Sequence, residues 1–194
     1  MTDLVTGADG RARCRWGSTP DYVVYHDTEW GRPLRGDDAL YERMTLEAFQ
    51  SGLSWLTILR KRDNFRAAFD KFKIKRVAAY DETDVARLMA DTGIVRNRAK
   101  VDAAIANARA ALEVPGGLSD LLWSFAPPPR PRPASGAEVP ALTPESTAMA
   151  KALKKRGFRF LGPTTVYAMM QACGLVDDHI DGCLVTATRG SAPS

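Results

Sequence analysis

The sequence predicts an all-α protein. Three observations carry this: apolar residues recur at helical spacing from residue 37 onward, cap and stop residues punctuate them, and no stretch sustains two-residue alternation, so no sheet is expected. The 194 residues suffice for one domain with a sizeable core. We divide the chain into a flexible N-terminal tail (1–13), a single domain (14–184) and a flexible C-terminal tail (185–194).

Residues 14–33 have no helical or strand period but hold Trp16, Tyr22, Tyr25 and Trp30 with His26. Aromatics bury much area each, so this arm is expected to pack, either as core filling or as pocket wall. Asp37 is the expected N-cap of a helix to about Ser51. At 100° per residue, Glu47 falls within about a quarter turn of Leu40 and Met44 on that helix. An acid in apolar company is paired, protonated or in use. Gly52 breaks the helix, leaving Leu53 on an exposed turn, and Ser54 caps the next helix with Trp55 in its first turn. Asp63 is expected to cap a separate short helix carrying Phe65, Phe69 and Phe72.

A helix around Val77 follows, then one opened by Thr83 and Asp84. Gly93 ends that helix, and Asn97 caps one with Val101, Ile105, Ala108 and Leu112 at helical spacing. This pair is a helix-hairpin-helix candidate. Arg96, Arg98 and Lys100 surround free amides suited to a phosphate, although a plain helical corner with solvated cations has the same pattern. A short helix spans 118–125. The Pro-rich connection 126–142 is an extended strap or a mobile loop. Pro144 sits at the tolerated start of a helix ending in Lys154, Lys155 and Arg156. The helix after Pro163 begins with Thr164 and Thr165, whose amides offer a second phosphate site, and Gly174 stops it.

Composition excludes some classes. No apolar run approaches the roughly 20 residues of a membrane span, and residues 1–13 lack a signal-peptide centre. Three cysteines argue against a disulfide framework and for a reducing cytosol, so a cytoplasmic location is expected. The net charge of +4 suits a polyanionic partner only if it is suitably placed. Cys173 follows core spacing. Cys14, His26, His179 and Cys183 remain as a possible closed Cys2His2 set, the composition of a structural zinc that ties the arm to the last residues.

Several runs together resemble the 3-methyladenine DNA glycosylase I family. They are Tyr25-His26-Asp27-Thr28-Glu29-Trp30-Gly31, Leu46-Glu47, Ser51-Gly52-Leu53-Ser54-Trp55, Gly93-Ile94-Val95-Arg96, Lys154-Lys155-Arg156-Gly157-Phe158, and Met170-Gln171-Ala172-Cys173-Gly174-Leu175-Val176 with Asp178-His179. The resemblance implies a helix-hairpin-helix DNA glycosylase fold with one structural zinc on Cys14, His26, His179 and Cys183. It implies a base pocket of Glu47, Tyr22, Tyr25 and Trp55, with Trp16 and Trp30 nearby. Gly52 and Leu53 would fill the gap left by an extruded nucleotide. From the hairpin and the start of the helix after Pro163, Arg96, Lys100, Thr164 and Thr165 are expected to meet the DNA backbone. The implied activity is hydrolysis of the N-glycosidic bond of 3-methyladenine in alkylated double-stranded DNA by a monomer, without strand cleavage, giving free 3-methyladenine. A zinc-stapled DNA-binding module without catalysis would keep the hairpin but need no deep pocket. A zinc hydrolase would need an open coordination position.

Overall fold

The computed structural model describes residues 3–185. The expected C-terminal tail, apart from Val185, lies outside the described residues. Helices dominate: α1 (Val23–Thr28), α2 (Asp37–Gln50), α3 (Trp55–Ala68), α4 (Ile74–Ala78), α5 (Glu82–Ala90), α6 (Arg98–Leu112), α7 (Leu118–Trp123), α8 (Pro144–Lys155) and α9 (Pro163–Ala172).

The expectation of no sheet and a tail over 1–13 is corrected. Strands β1 (Leu4–Thr6) and β2 (Ala12–Cys14) pair antiparallel as a small hairpin, with Leu4 opposite Cys14. Three-residue strands are too short to show a period. Arg13 ties the hairpin to its own turn through Asp9 and to α1 through Asp27, and from the far end of the chain the Leu184 amide donates to the Ala12 carbonyl.

Helix α2 is the centre of the fold. Leu40, Tyr41, Met44, Leu46 and Phe49 are each at most 1% exposed, so the helix is apolar on nearly every side. It packs against α3, α6, α7 and α9. Its start differs from the sequence expectation. Gly36 is the N-cap, at φ 90°, and Asp37 instead accepts the Ser119 amide at 2.8 Å, which ties α7 to α2.

Helix α3 runs unbroken through Asp63, which is no cap. It lies exposed and pairs with Arg66 one turn on. Phe65 is on α3, but Phe69 and Phe72 lie beyond its end. Asp70, Lys71 and Phe72 all adopt left-handed φ, near 51–55°, and this turn stacks Phe72 on Phe69 at 5.5 Å. Each such residue costs about 1–2 kcal/mol. Burial of the Phe49, Phe65, Phe69 and Phe72 cluster offsets that cost.

Asp81 opens α5 with a capping box, Asn97 caps α6 by accepting the Lys100 amide, and Thr143 caps α8. The Pro-rich segment is a strap. Arg130 pairs with Asp178 at 2.6 Å, Arg132 with Asp177 at 2.8 Å, and the Pro133 carbonyl accepts the Asp181 amide. The strap therefore clamps the residues that follow α9.

Candidate active site

Glu47 projects from the central helix into a cavity of about 230 Å3 lined by Trp16, Tyr22, Tyr25, Trp30, Gln50, Trp55, Ala168 and Gln171. All five aromatics singled out from the sequence line this one cavity. They arrive from different elements. Trp16 sits on the 3-10 turn after β2, Tyr22 and Tyr25 come with α1, and Trp30 follows it. Trp55 stands in the first turn of α3, fixed by Ser54, whose hydroxyl accepts the Thr57 amide. The rings brace one another: Trp16 meets Trp30 edge-on at 4.8 Å and Tyr22 at 5.8 Å, while Tyr25 tilts against Trp55 at 5.4 Å.

Glu47 is 5% exposed, and among the described residues no group donates a hydrogen bond to its carboxyl. Burial pushes its pKa up to about 7, against the opposing pull of Arg43. Arg43 is itself buried. It donates to the Tyr25 hydroxyl oxygen at 2.7 Å and lies 3.5 Å from Glu29, which in turn holds Arg62 bidentately at 2.6 and 2.9 Å. Because Arg43 occupies one lone pair of the Tyr25 oxygen, the phenol's own proton remains to be donated. Burial holds that phenol well above its ordinary range, so it stays protonated.

Sequence reasoning missed Gln50, Ala168 and Gln171. Their signal is tertiary: α9 must cross α2 before Ala168 and Gln171 can join the wall. Gln171, Trp16 and Trp30 also border a larger hollow of about 540 Å3 beside the arm.

A second cluster sits behind the aromatic wall. Donor atoms of Cys14, His26 and Cys183 lie within 4.8 Å of one another, and all three residues are buried. The Nε2 of His26 is 3.6 Å from the Cys183 sulfur. Cys183 is the thiol that ionises first, stabilised by a hydrogen bond from Cys14 and then by His26, against burial. The His179 ring packs edge-on against His26 at 5.2 Å. Its Nε2 is buried and has no partner among the described residues. Both imidazoles are anchored through Nδ1, His26 on Asp27 at 2.7 Å and His179 on Asp177 at 2.9 Å. Gly31 lies flat against His179. A Cβ there would stand 2.5 Å from the ring, and its φ of +75° is one that glycine tolerates.

The outer face holds the remaining candidates. Gly52, at φ +79°, makes the turn that leaves Leu53 40% exposed at its tip. Arg96 is exposed beside the α6 start, Thr164 is exposed and Thr165 half-buried at the α9 start, and α9 has no side-chain cap on its amides. Lys100 departs from expectation. It is 8% exposed and donates to the carbonyls of Phe49 and Ser51 at 2.8 and 2.5 Å. Its charge therefore satisfies the open end of α2 beneath the Gly52 turn and does not face a phosphate. Lys61 does the same for the turn between α5 and α6, donating to Thr92 and Gly93 carbonyls at 3.1 Å.

A buried acid among aromatic faces, in a cavity smaller than the roughly 300–1,000 Å3 of drug-sized pockets, defines a receptor for one flat heteroaromatic ring system. Residues 15–186 match the family model described as methyladenine glycosylase. The chain is 48% identical over 177 residues to DNA-3-methyladenine glycosylase 1 of Escherichia coli (strain K12), covering 88% of this chain and 95% of the relative. It is 45% identical over 180 residues to DNA-3-methyladenine glycosylase of Haemophilus influenzae, covering 88% and 96%. A crystal structure of 3-methyladenine DNA glycosylase I superposes with TM-score 0.85 at 50% identity, covering 89% of this chain and 98% of that one. A variant of 3-methyladenine DNA glycosylase I solved in complex with 3-methyladenine gives TM-score 0.82 at 36% identity, covering 86% and 92%. This chain belongs to the methyladenine glycosylase family.

Proposed function

We propose that the protein excises 3-methyladenine from alkylated double-stranded DNA by hydrolysing its N-glycosidic bond, leaving the strand intact. The observation that carries this reading is the Glu47 cavity, with its five aromatic walls and its own buried acid. A DNA-binding module without catalysis has no use for such a cavity.

Methylation at N3 makes adenine cationic, so the base departs neutral and needs little acid catalysis. The protein's task is to extrude the nucleotide, stack the cation on aromatic faces and admit water to C1′. Water oxygen bonds to C1′ as the C1′–N9 electron pair passes to the base, and the water proton is lost to solvent. Glu47, ionised, attracts the cation and accepts from its exocyclic amine. Leu53 and Gly52 occupy the vacated stack. No lysine lines the cavity among the described residues, so the reaction has no amine nucleophile for strand cleavage.

The reading includes one structural zinc on Cys14, His26, Cys183 and His179. Support comes from the donor set, from the orphaned Nε2 of His179, and from the carboxylates that fix both imidazoles by Nδ1. Bound there, zinc supplies cross-linking and no chemistry. It anchors the arm that carries Trp16 and Trp30. The reading further treats α5 and α6 as a helix-hairpin-helix DNA element, and the protein as a monomer acting in the cytoplasm. Among the described residues no helix is long and apolar enough to cross a membrane.

Purified protein should free 3-methyladenine from methylated duplex DNA, with strand breaks appearing only after alkali. Direct strand cleavage, or release of 7-methylguanine as fast as 3-methyladenine, would overturn the mechanism. The outer face gives a second test. Arg96→Ala should weaken binding to all duplex sequences and reduce the log–log salt slope by about 1, whereas Lys100→Met should lower stability and leave the slope alone. An unchanged slope in Arg96→Ala removes that residue from the interface.

A further inference from the structure

Gln171 lines the Glu47 cavity, and its amide has a fixed orientation. Its Nε2 donates to Asp178 Oδ2 at 2.9 Å. Asp178 is fully buried, and its carboxylate is held in an ion pair with Arg130 at 2.6 Å. The Tyr167 hydroxyl donates to the same Oδ2 at 2.5 Å. Arg130 also donates to the Tyr167 oxygen at 3.1 Å, which commits the phenol's proton to Asp178. Every partner of Asp178 is thus a donor, and the carboxylate only accepts. The Gln171 amide must therefore turn its NH2 toward Asp178 and its carbonyl away. Among the described residues nothing donates to that carbonyl oxygen.

We infer that Gln171 is a specificity residue for the excised base, a fixed acceptor set beside Glu47 by Asp178, Tyr167 and the Arg130 of the Pro-rich strap. The inference rests on the reading of this cavity as the base pocket. Adenine carries an exocyclic amine with two donor hydrogens, which two acceptors satisfy. Guanine carries a carbonyl at the same ring position, and two acceptors facing it leave buried oxygens unpaired. Asp178, Tyr167 and Arg130 act only through Gln171 and are positioning residues. They give the strap a role in selectivity although it does not line the cavity.

The test is the ratio of 3-methyladenine to 3-methylguanine release from one methylated duplex, since both lesions carry the methyl group on N3. Gln171→Met keeps the length and removes the acceptor. It should lower the ratio by roughly tenfold or more, by slowing 3-methyladenine release, with duplex affinity unchanged. Asp178→Asn offers Gln171 a donor and lets the amide flip, turning NH2 into the cavity. It should lower the ratio too, partly by raising 3-methylguanine release, and should have no further effect on the ratio in a Gln171→Met background. Gln171→Met alone suffices should Asp178→Asn fail to fold. An unchanged ratio in folded Gln171→Met overturns the inference while 3-methyladenine release by the parent protein stands. A parent protein that releases no 3-methyladenine overturns the base-pocket reading and this inference with it.

Discussion

Glu47→Gln should gain stability relative to the parent protein as pH rises from 4 to 8. Burial raises the folded-state pKa of Glu47 from the ordinary 4.5 to about 7. Below 4.5 both folded and unfolded chains hold the proton, and nothing is lost. As pH rises from there through about 7, the unfolded chain releases a proton that the fold retains, so stability falls and then levels off. That interval corresponds to roughly 3 kcal/mol, or about 6–12 °C in Tm for a chain of this size. The amide removes the penalty, because it is never charged. A buried Gln without partners carries its own cost, so the pH dependence of the difference is the readout, and not its value at one pH. Chemical denaturation of both proteins between pH 4 and 9 supplies it. A difference that stays constant across this range would mean that Glu47 is already paired and ionised in the fold. Selection of an acid that weakens the fold at neutral pH is the expected trade between stability and a working site.

Zinc removal should have the other large effect. The protein purified without chelator should contain one zinc per chain. The binding free energy of structural zinc sites is of the order of 10 kcal/mol, and here it would anchor one region. Cys14, Ile180, Cys183 and Val185 form a small apolar cluster beside the larger core around α2, and His26 of α1 reaches the Cys183 sulfur at 3.6 Å. Stripping the metal, or replacing Cys183 with Ser, should therefore open residues 3–31 to proteolysis and hydrogen exchange while α2, α3 and α6 keep their protection. Loss of Trp16 and Trp30 from the cavity would abolish base release as a consequence. Protein that lacks zinc yet keeps the arm protected would contradict the metal assignment. An arm that stays docked while metal removal abolishes activity would point to a metal in the chemistry.

Much of the site was legible in the sequence because its chemistry rests on rare residues. Glu47 interrupts an apolar helix, four aromatics crowd one irregular arm, and of the two histidines and two cysteines read as one possible set, Cys14, His26 and Cys183 come together in the fold. The helices were legible from their spacing and caps, Ser54, Asn97 and Thr143 among them. What escaped was tertiary. Lys100 reads as one of a basic trio, but the open carbonyl end of α2 draws it inward. Asp37 reads as a cap, yet it serves α7 instead. Phe72 reads as the next turn of a helix and reaches its partner through a left-handed turn. Gln171 belongs to a run that resembles the family, but nothing marks it as a cavity residue until α9 is laid across α2 and the strap is drawn over Asp178. The β-hairpin was hidden by its length, since three residues cannot display alternation.

The most direct test of the account is single-turnover release of 3-methyladenine at pH 8 by the parent protein and by Glu47→Gln, from the same methylated duplex. The carboxylate's charge-assisted bond to the base edge is worth about 1.5–3 kcal/mol, so the variant should release the base roughly ten- to a hundredfold more slowly. Its affinity for a duplex with an abasic site should be unchanged. Equal release rates in the two proteins would make Glu47 a core acid and contradict the account.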